Sequence, residues 1–198
     1  MESEEEEVIL KVSSSKDKGY SKKVAAAMGW RLREVGYCQA RAIQAMAVNS
    51  TIKAVAITNE RVRPAGIKFG ISPTFDKATA ADDPSAVAIS VMIEAVTEDS
   101  PGTLIECKVS GKEDPGDHAS AVRLSGAITG MTSGGKGVSL KCVGPKAVYR
   151  AVMASVMARS QAYGNGMDSV IVPTWETAET SSGKLSLIRI DFWSVKKA

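Results

Sequence analysis

Val24, Met28, Leu32 and Val35 recur at i, i+4, i+8 and i+11, the spacing of one face of an α-helix, and Gly36 stops it. Val87, Ile89, Val91 and Ile93 alternate instead, as a half-buried strand does. Val8 to Val12 reads as a short apolar strand, followed by a polar loop with Ser13, Ser14, Ser15, Lys16 and Gly19. Gln39 to Val48 suits a second strand. Asn49 then serves as N-cap of a helix carrying Ile52, Val55 and Ala56. Pro64 and Gly66 punctuate before a strand with Ile67, Phe69 and Ile71 on one face. The predicted order is β-α-β-α-β-β.

That order occurs twice. Lys11-Val12-Ser13 returns as Lys108-Val109-Ser110, 97 residues on, and Lys53-Ala54-Val55 meets Arg150-Ala151-Val152 at the same offset. Pro73-Thr74-Phe75 meets Pro173-Thr174-Trp175 at an offset of 100, which places three extra residues within Ala162–Gly166. The second copy predicts strands at Leu104–Val109, Val138–Val143, Ser169–Val172 and Lys184–Trp193. Its helices carry Ala121, Leu124, Ile128 and Met131, and then a segment opened by Gly144-Pro145, where proline loses no hydrogen bond. The fold class is α/β. An acidic tail (1–7) precedes the first domain (8–97), a linker (98–102) and the second, divergent domain (103–198).

With these segments placed, Ile9-Leu10-Lys11-Val12-Ser13 resembles the opening of the stage V sporulation protein S (SpoVS) family. Ile52-Lys53-Ala54-Val55-Ala56-Ile57, Pro64-Ala65-Gly66-Ile67 and Pro73-Thr74-Phe75 are similar to that family's most recognisable stretch. The resemblance spans residues 8–96 and reaches 103–193 through the repeat. It implies an Alba-like fold, single-domain relatives half this length, and a small non-enzymatic protein with presumed nucleic-acid binding. Fold alone does not settle function. Alba-like domains pair through surfaces that include the second helix, and five linker residues reach at most about 18 Å. The halves are therefore expected to pack as an internal pseudo-dimer, with Ser50, Ala54 and Ile57 facing Ala147, Ala151 and Ala154. Ala147, Ala151, Ala154 and Ala158 form a small-residue stripe that suits either this contact or the helix's own sheet.

The chain has 198 residues, 44% apolar and 24% charged, which excludes bulk disorder. No run approaches the roughly 18–20 apolar residues that span a bilayer. The start carries Glu2, Glu4, Glu5, Glu6 and Glu7, the opposite of a basic targeting segment, so a cytoplasmic location is expected. Cys38, Cys107 and Cys142 contain no CxxC and read as reduced and structural. Without the five glutamates, 25 basic residues face 17 acidic ones, a body of about +8 that favours an anionic partner. The ten aromatics are not spaced as a stacking platform, which favours phosphate contact over base stacking.

Lys16, Lys18, Lys22 and Lys23 line the first strand-to-helix loop, where Alba-like proteins set lysines against phosphates; a solvated helix edge is the plainer reading. Lys11, Arg41, Lys53, Arg61 and Arg63 extend the patch if they share its face. The matching loop of the second copy, Gly111 to Asp117, is net acidic. The hairpin tips carry Asp76, Lys77, Asp82, Asp83, Glu176 and Glu179, and acidic tips would repel a duplex. Gly130 to Lys136 matches a phosphate-binding loop except for Gly137 at the hydroxyl position, and it joins a helix to a strand, the reverse of what that motif needs. His118 stands alone beside Asp117, and no Ser/His/Asp set or metal cluster appears, so no enzyme, cofactor or metal is expected. Two functions fit. One is binding of DNA or RNA by backbone phosphates through the first repeat. The other is a scaffold subunit of a larger protein assembly, cytoskeletal or ribonucleoprotein, which the acidic tips and tail favour. A small-molecule module has no positive support.

Overall fold

The computed structural model describes residues 9–76, 88–112, 118–181 and 183–196. The first half runs β1 (Ile9–Val12), α1 (Tyr20–Val35), β2 (Tyr37–Ile43), α2 (Gln44–Val62), a 3-10 turn (Arg63–Ala65), β3 (Phe69–Asp76) and β4 (Ala88–Ala95). The second runs β5 (Leu104–Val109), α3 (His118–Thr132), β6 (Gly137–Cys142), α4 (Pro145–Gly164), β7 (Met167–Thr180) and β8 (Gly183–Lys196). Each half is one four-stranded sheet, ordered β1-β2-β4-β3 and β5-β6-β8-β7. The first two strands of each sheet are parallel, so a helix must cross between them, while the last two form an antiparallel hairpin.

Helix α1 buries Val24, Ala25, Met28 and Leu32 on one stripe, and Gly36 at φ 81 closes it by donating its N–H to the Leu32 carbonyl. In β2 the inward positions are Cys38, Ala40 and Ala42, and Arg41 points to the other face. The second helix departs from the sequence reading. It starts at Gln44, so the segment after Ile43 is helix and Asn49 lies inside it, buried. Ala47 through Ile52 are all buried, and a helix covered on every side loses the 3.6-residue stripe that would have marked it. Ile67 is also outside β3 and exposed; the inward positions there are Phe69, Ile71 and Pro73.

The halves pack as a pseudo-dimer. Helix α2 lies on α4, and β3 runs beside β7. At Gly70 on β3, an added Cβ would stand 3.2 Å from the Ile171 carbonyl oxygen of β7 and 2.6 Å from Val96, so the approach needs glycine. Buried apolar residues of both halves form one continuous cluster, from Val12 to Phe192. Val96, just past β4, packs with Val170, Val172 and Trp193 of the second half in a smaller cluster.

Strand register relocates the extra residues of the repeat. Val12 sits opposite Ala42, and Val109 sits opposite Cys142, so the offset is 97 at the first strand and already 100 at the second. Buried Met28 and Leu32 of α1 answer to buried Ile128 and Thr132 of α3. The insertion therefore falls between Val109 and Ile128, not at Ala162–Gly166. Lys53-Ala54 accordingly corresponds to Met153-Ala154, and the match to Arg150-Ala151 is coincidental.

Candidate nucleic-acid interface

Because β1 and β2 are parallel, α1 and α2 start at the same end of the first sheet. The loop between β1 and α1 is folded around Asp17 and Tyr20. The Ser13 N–H donates to the Tyr20 hydroxyl oxygen (2.9 Å), Asp17 N–H to Ser15 Oγ (3.1 Å) and Gly19 N–H to Asp17 Oδ1 (2.8 Å). The Gly19 hydrogen bond, then Lys23, holds the Asp17 carboxyl below the usual range. This frame presents Lys16, Lys18, Lys22 and Lys23, all exposed, at a helix start with no acidic residue in its first turn and no side-chain cap. Lys23 Nζ is 3.1 Å from Asp17 Oδ2 and is already paired.

Lys11 and Arg41 are cross-strand neighbours on the sheet face away from the helices. With Ser13, Ser14, Ile43 and Gln44 they line a depression of about 580 Å³ at the same end as the lysine loop. The other basic candidates are elsewhere. Lys53 Nζ lies 5.8 Å from the ring centre of Trp175 across the junction of the halves, a cation–π distance. Arg61 lies in the last turn of α2, about 26 Å along the helix from Gln44 at 1.5 Å per residue, and Arg63 just past its end. Arg63 pairs with Glu60. One patch thus becomes three places.

The hairpin acids do not form repelling arms where the structure describes them. Asp76 Oδ2 is 2.7 Å from Arg41 Nε, and Glu176 Oε1 is 3.0 Å from Lys141 Nζ, the same pairing in both copies. Lys141 also meets Glu106 (2.8 Å), and Arg189 meets Asp191 (2.8 Å) and Glu176 (3.9 Å). The hydrogen bond from Lys141 pulls the Glu106 carboxyl down, and Glu106, then Glu176, pushes Lys141 up. Farther out on the β7–β8 arm, Glu179 stands opposite Lys184, so the charges balance. Lys77, Asp82, Asp83, the stretch from Glu113 to Asp117 and the tail 1–7 lie outside the described residues.

Two segments of this geometry, residues 8–96 and 107–194, match the family described as Stage V sporulation protein S (SpoVS). The chain belongs to that family. It carries the SpoVS unit twice: the first matched segment takes in β1 to β4, and the second runs from within β5 to within β8. No curated protein matches the chain.

The SpoVS family is not known as an enzyme family. Among the described residues no group of three or more His, Cys, Asp or Glu side chains is placed to hold a metal ion. Burial pushes the Cys38 and Cys142 thiols up, away from the reactive thiolate. Gly130 to Lys136 ends α3 and turns into β6, helix before strand. No described helix is long and apolar enough to cross a membrane. Ser50, Ala54, Ala147, Ala151, Ala154 and Ala158 are buried and Ile57 half-buried, on the two helices that meet. The sequence reading missed Asp17, Tyr20 and Asn59. Asp17-Lys18-Gly19 is itself a turn signal that would have marked the loop as folded.

Proposed function

We propose that this tandem SpoVS protein is a non-enzymatic nucleic-acid-binding protein that holds backbone phosphates with Lys11, Lys16, Lys18 and Lys22 of its first copy. One observation carries the reading. These four exposed lysines have no carboxylate partner among the described residues and gather where β1 ends and α1 begins. On the second copy's sheet Lys141 and Arg189 are held in a network with Glu106, Glu176 and Asp191. Ammonium groups on flexible stems act on phosphates as point charges, so binding on this account is insensitive to sequence and sensitive to salt. The non-enzymatic half of the reading rests on the family.

The test is fluorescence anisotropy with labelled 20-nucleotide single strands and duplexes. Replacing the four lysines by glutamine should weaken binding to both at least tenfold. Replacing Lys108 and Lys112 of the second copy should change it little. Equal losses from the two sets, or none from the first, would remove the first copy from the interface. A second reading, protein contact within a larger assembly, is favoured by an uncovered apolar groove at the opposite end of the first half.

A further inference from the structure

That groove lies between the C-terminal parts of α1 and α2. Trp30, Val62, Ile67 and Phe69 supply its apolar wall, Arg33 and Arg61 its rim, and it encloses about 720 Å³. Trp30 is 56% exposed and Ile67 46%, so large apolar surface faces water. The second copy shows that the fold does not require this. At an offset of 100, Gly130, Ala162, Met167 and Ser169 replace Trp30, Val62, Ile67 and Phe69. There the Thr129 hydroxyl meets Gln161 Oε1 at 2.7 Å, linking α3 to α4 at the positions of Gly29 and Arg61. One copy carries a polar bridge between the two helices at this place. The other leaves it open and lines it with a tryptophan.

We infer that this groove docks an acidic peptide segment of a partner protein, one carrying an aromatic or aliphatic anchor side chain. The inference rests on the protein-contact reading and not on the phosphate reading. Charge complementarity selects the occupant: Arg33 and Arg61 are exposed and make no ion pair among the described residues. An anchor side chain buried against Trp30 gains the apolar contact, and flanking Asp or Glu residues reach the two guanidinium groups, which grip carboxylates in a fork. The groove disfavours a nucleobase, because the wall beside Trp30 is a concave trough of Val62, Ile67 and Phe69 and not an open stacking plane. It also stands apart from the lysine loop, at the other ends of α1 and α2.

The experiment is selection of a displayed library of random 12-residue peptides on the full chain, followed by anisotropy with the best binders. Selected peptides should pair Leu, Phe or Trp with flanking Asp or Glu. Their affinity should fall at least tenfold with Trp30→Ala and with the double variant Arg33→Glu, Arg61→Glu, both keeping the parent melting temperature. Lys16→Gln, Lys18→Gln, Lys22→Gln together should leave it unchanged while weakening oligonucleotide binding, so the two readings fail separately. No enrichment, or peptide binding indifferent to both groove variants, would overturn the inference. So would a single-stranded oligonucleotide that loses affinity on Trp30→Ala, or a concentration-dependent dimer that Trp30→Ala dissolves. The first would make the occupant nucleic acid, and the second a further copy of this chain.

Discussion

Asn59 is 6% exposed near the end of α2, and all of its hydrogen bonds go to backbone. Its Nδ2 donates to the Phe69 carbonyl (2.9 Å) and to the Pro173 carbonyl of the other half (2.8 Å), and its Oδ1 accepts from the Phe69 N–H (2.7 Å). One side chain thus fixes the entry of β3 and ties it to β7. Asn59→Ala would strand buried polar groups at about 1–3 kcal/mol each. The expected loss is about 2–4 kcal/mol in urea unfolding, since some of those groups can recruit water. A loss under about 0.5 kcal/mol would show that the bridge is not stabilising. Nothing local in Thr58-Asn59-Glu60 distinguishes this residue from a surface asparagine. Its partner in the other half, Pro173, is 114 residues away, and only tertiary structure supplies it. Lys16, Lys18 and Lys22 were legible for the opposite reason, because an exposed charge needs no partner to be read.

At the scale of elements, legibility followed burial. Helix α1 is covered on one side, and its stripe and its stop at Gly36 could be read directly. Helices α2 and α4 are covered almost all round, so α2 was read partly as strand. Strand β7 runs 14 residues, Met167–Thr180, well past the predicted Ser169–Val172, because the arm beyond Trp175 has little buried face to imprint a pattern. The start of α2 shows what the alignment of copies adds. Gln44 has φ 67, and its counterpart Gly144 has φ 82. A side chain there costs about 1–3 kcal/mol, while glycine costs about 0.5–1 kcal/mol in chain entropy. Gln44→Gly should therefore stabilise the protein by about 0.5–1 kcal/mol in the same unfolding assay. A destabilised variant would mean that Gln44 makes a contact worth more than its backbone strain.

The whole molecule shares one buried cluster across both SpoVS copies, so the halves should unfold together. Ala154 is fully buried on α4, the helix that meets α2. Ala154→Leu overfills that layer and should cost about 1–3 kcal/mol. Fluorescence and circular dichroism should still report one coincident transition, and two separate transitions would contradict a shared core. The duplication was legible from two short anchors, the end of the first strand and the Pro-Thr-aromatic segment of β3 and β7, while the third, in the helices, was coincidental. Its register was not, since an insertion is placed only by strand pairing. The assignment of the phosphate contacts to the lysine loop of the first copy is the central claim, and salt dependence tests it most directly. Affinity for duplex should be measured against salt for the parent chain and for the variant with Lys11, Lys16, Lys18 and Lys22 replaced by glutamine. Each phosphate contact contributes about 0.9 to the slope of log affinity against log salt on duplex, or about 0.7 on single strands. The account predicts a variant slope shallower by about 2–4 on duplex. A slope identical to the parent's would place the phosphate contacts elsewhere and contradict it.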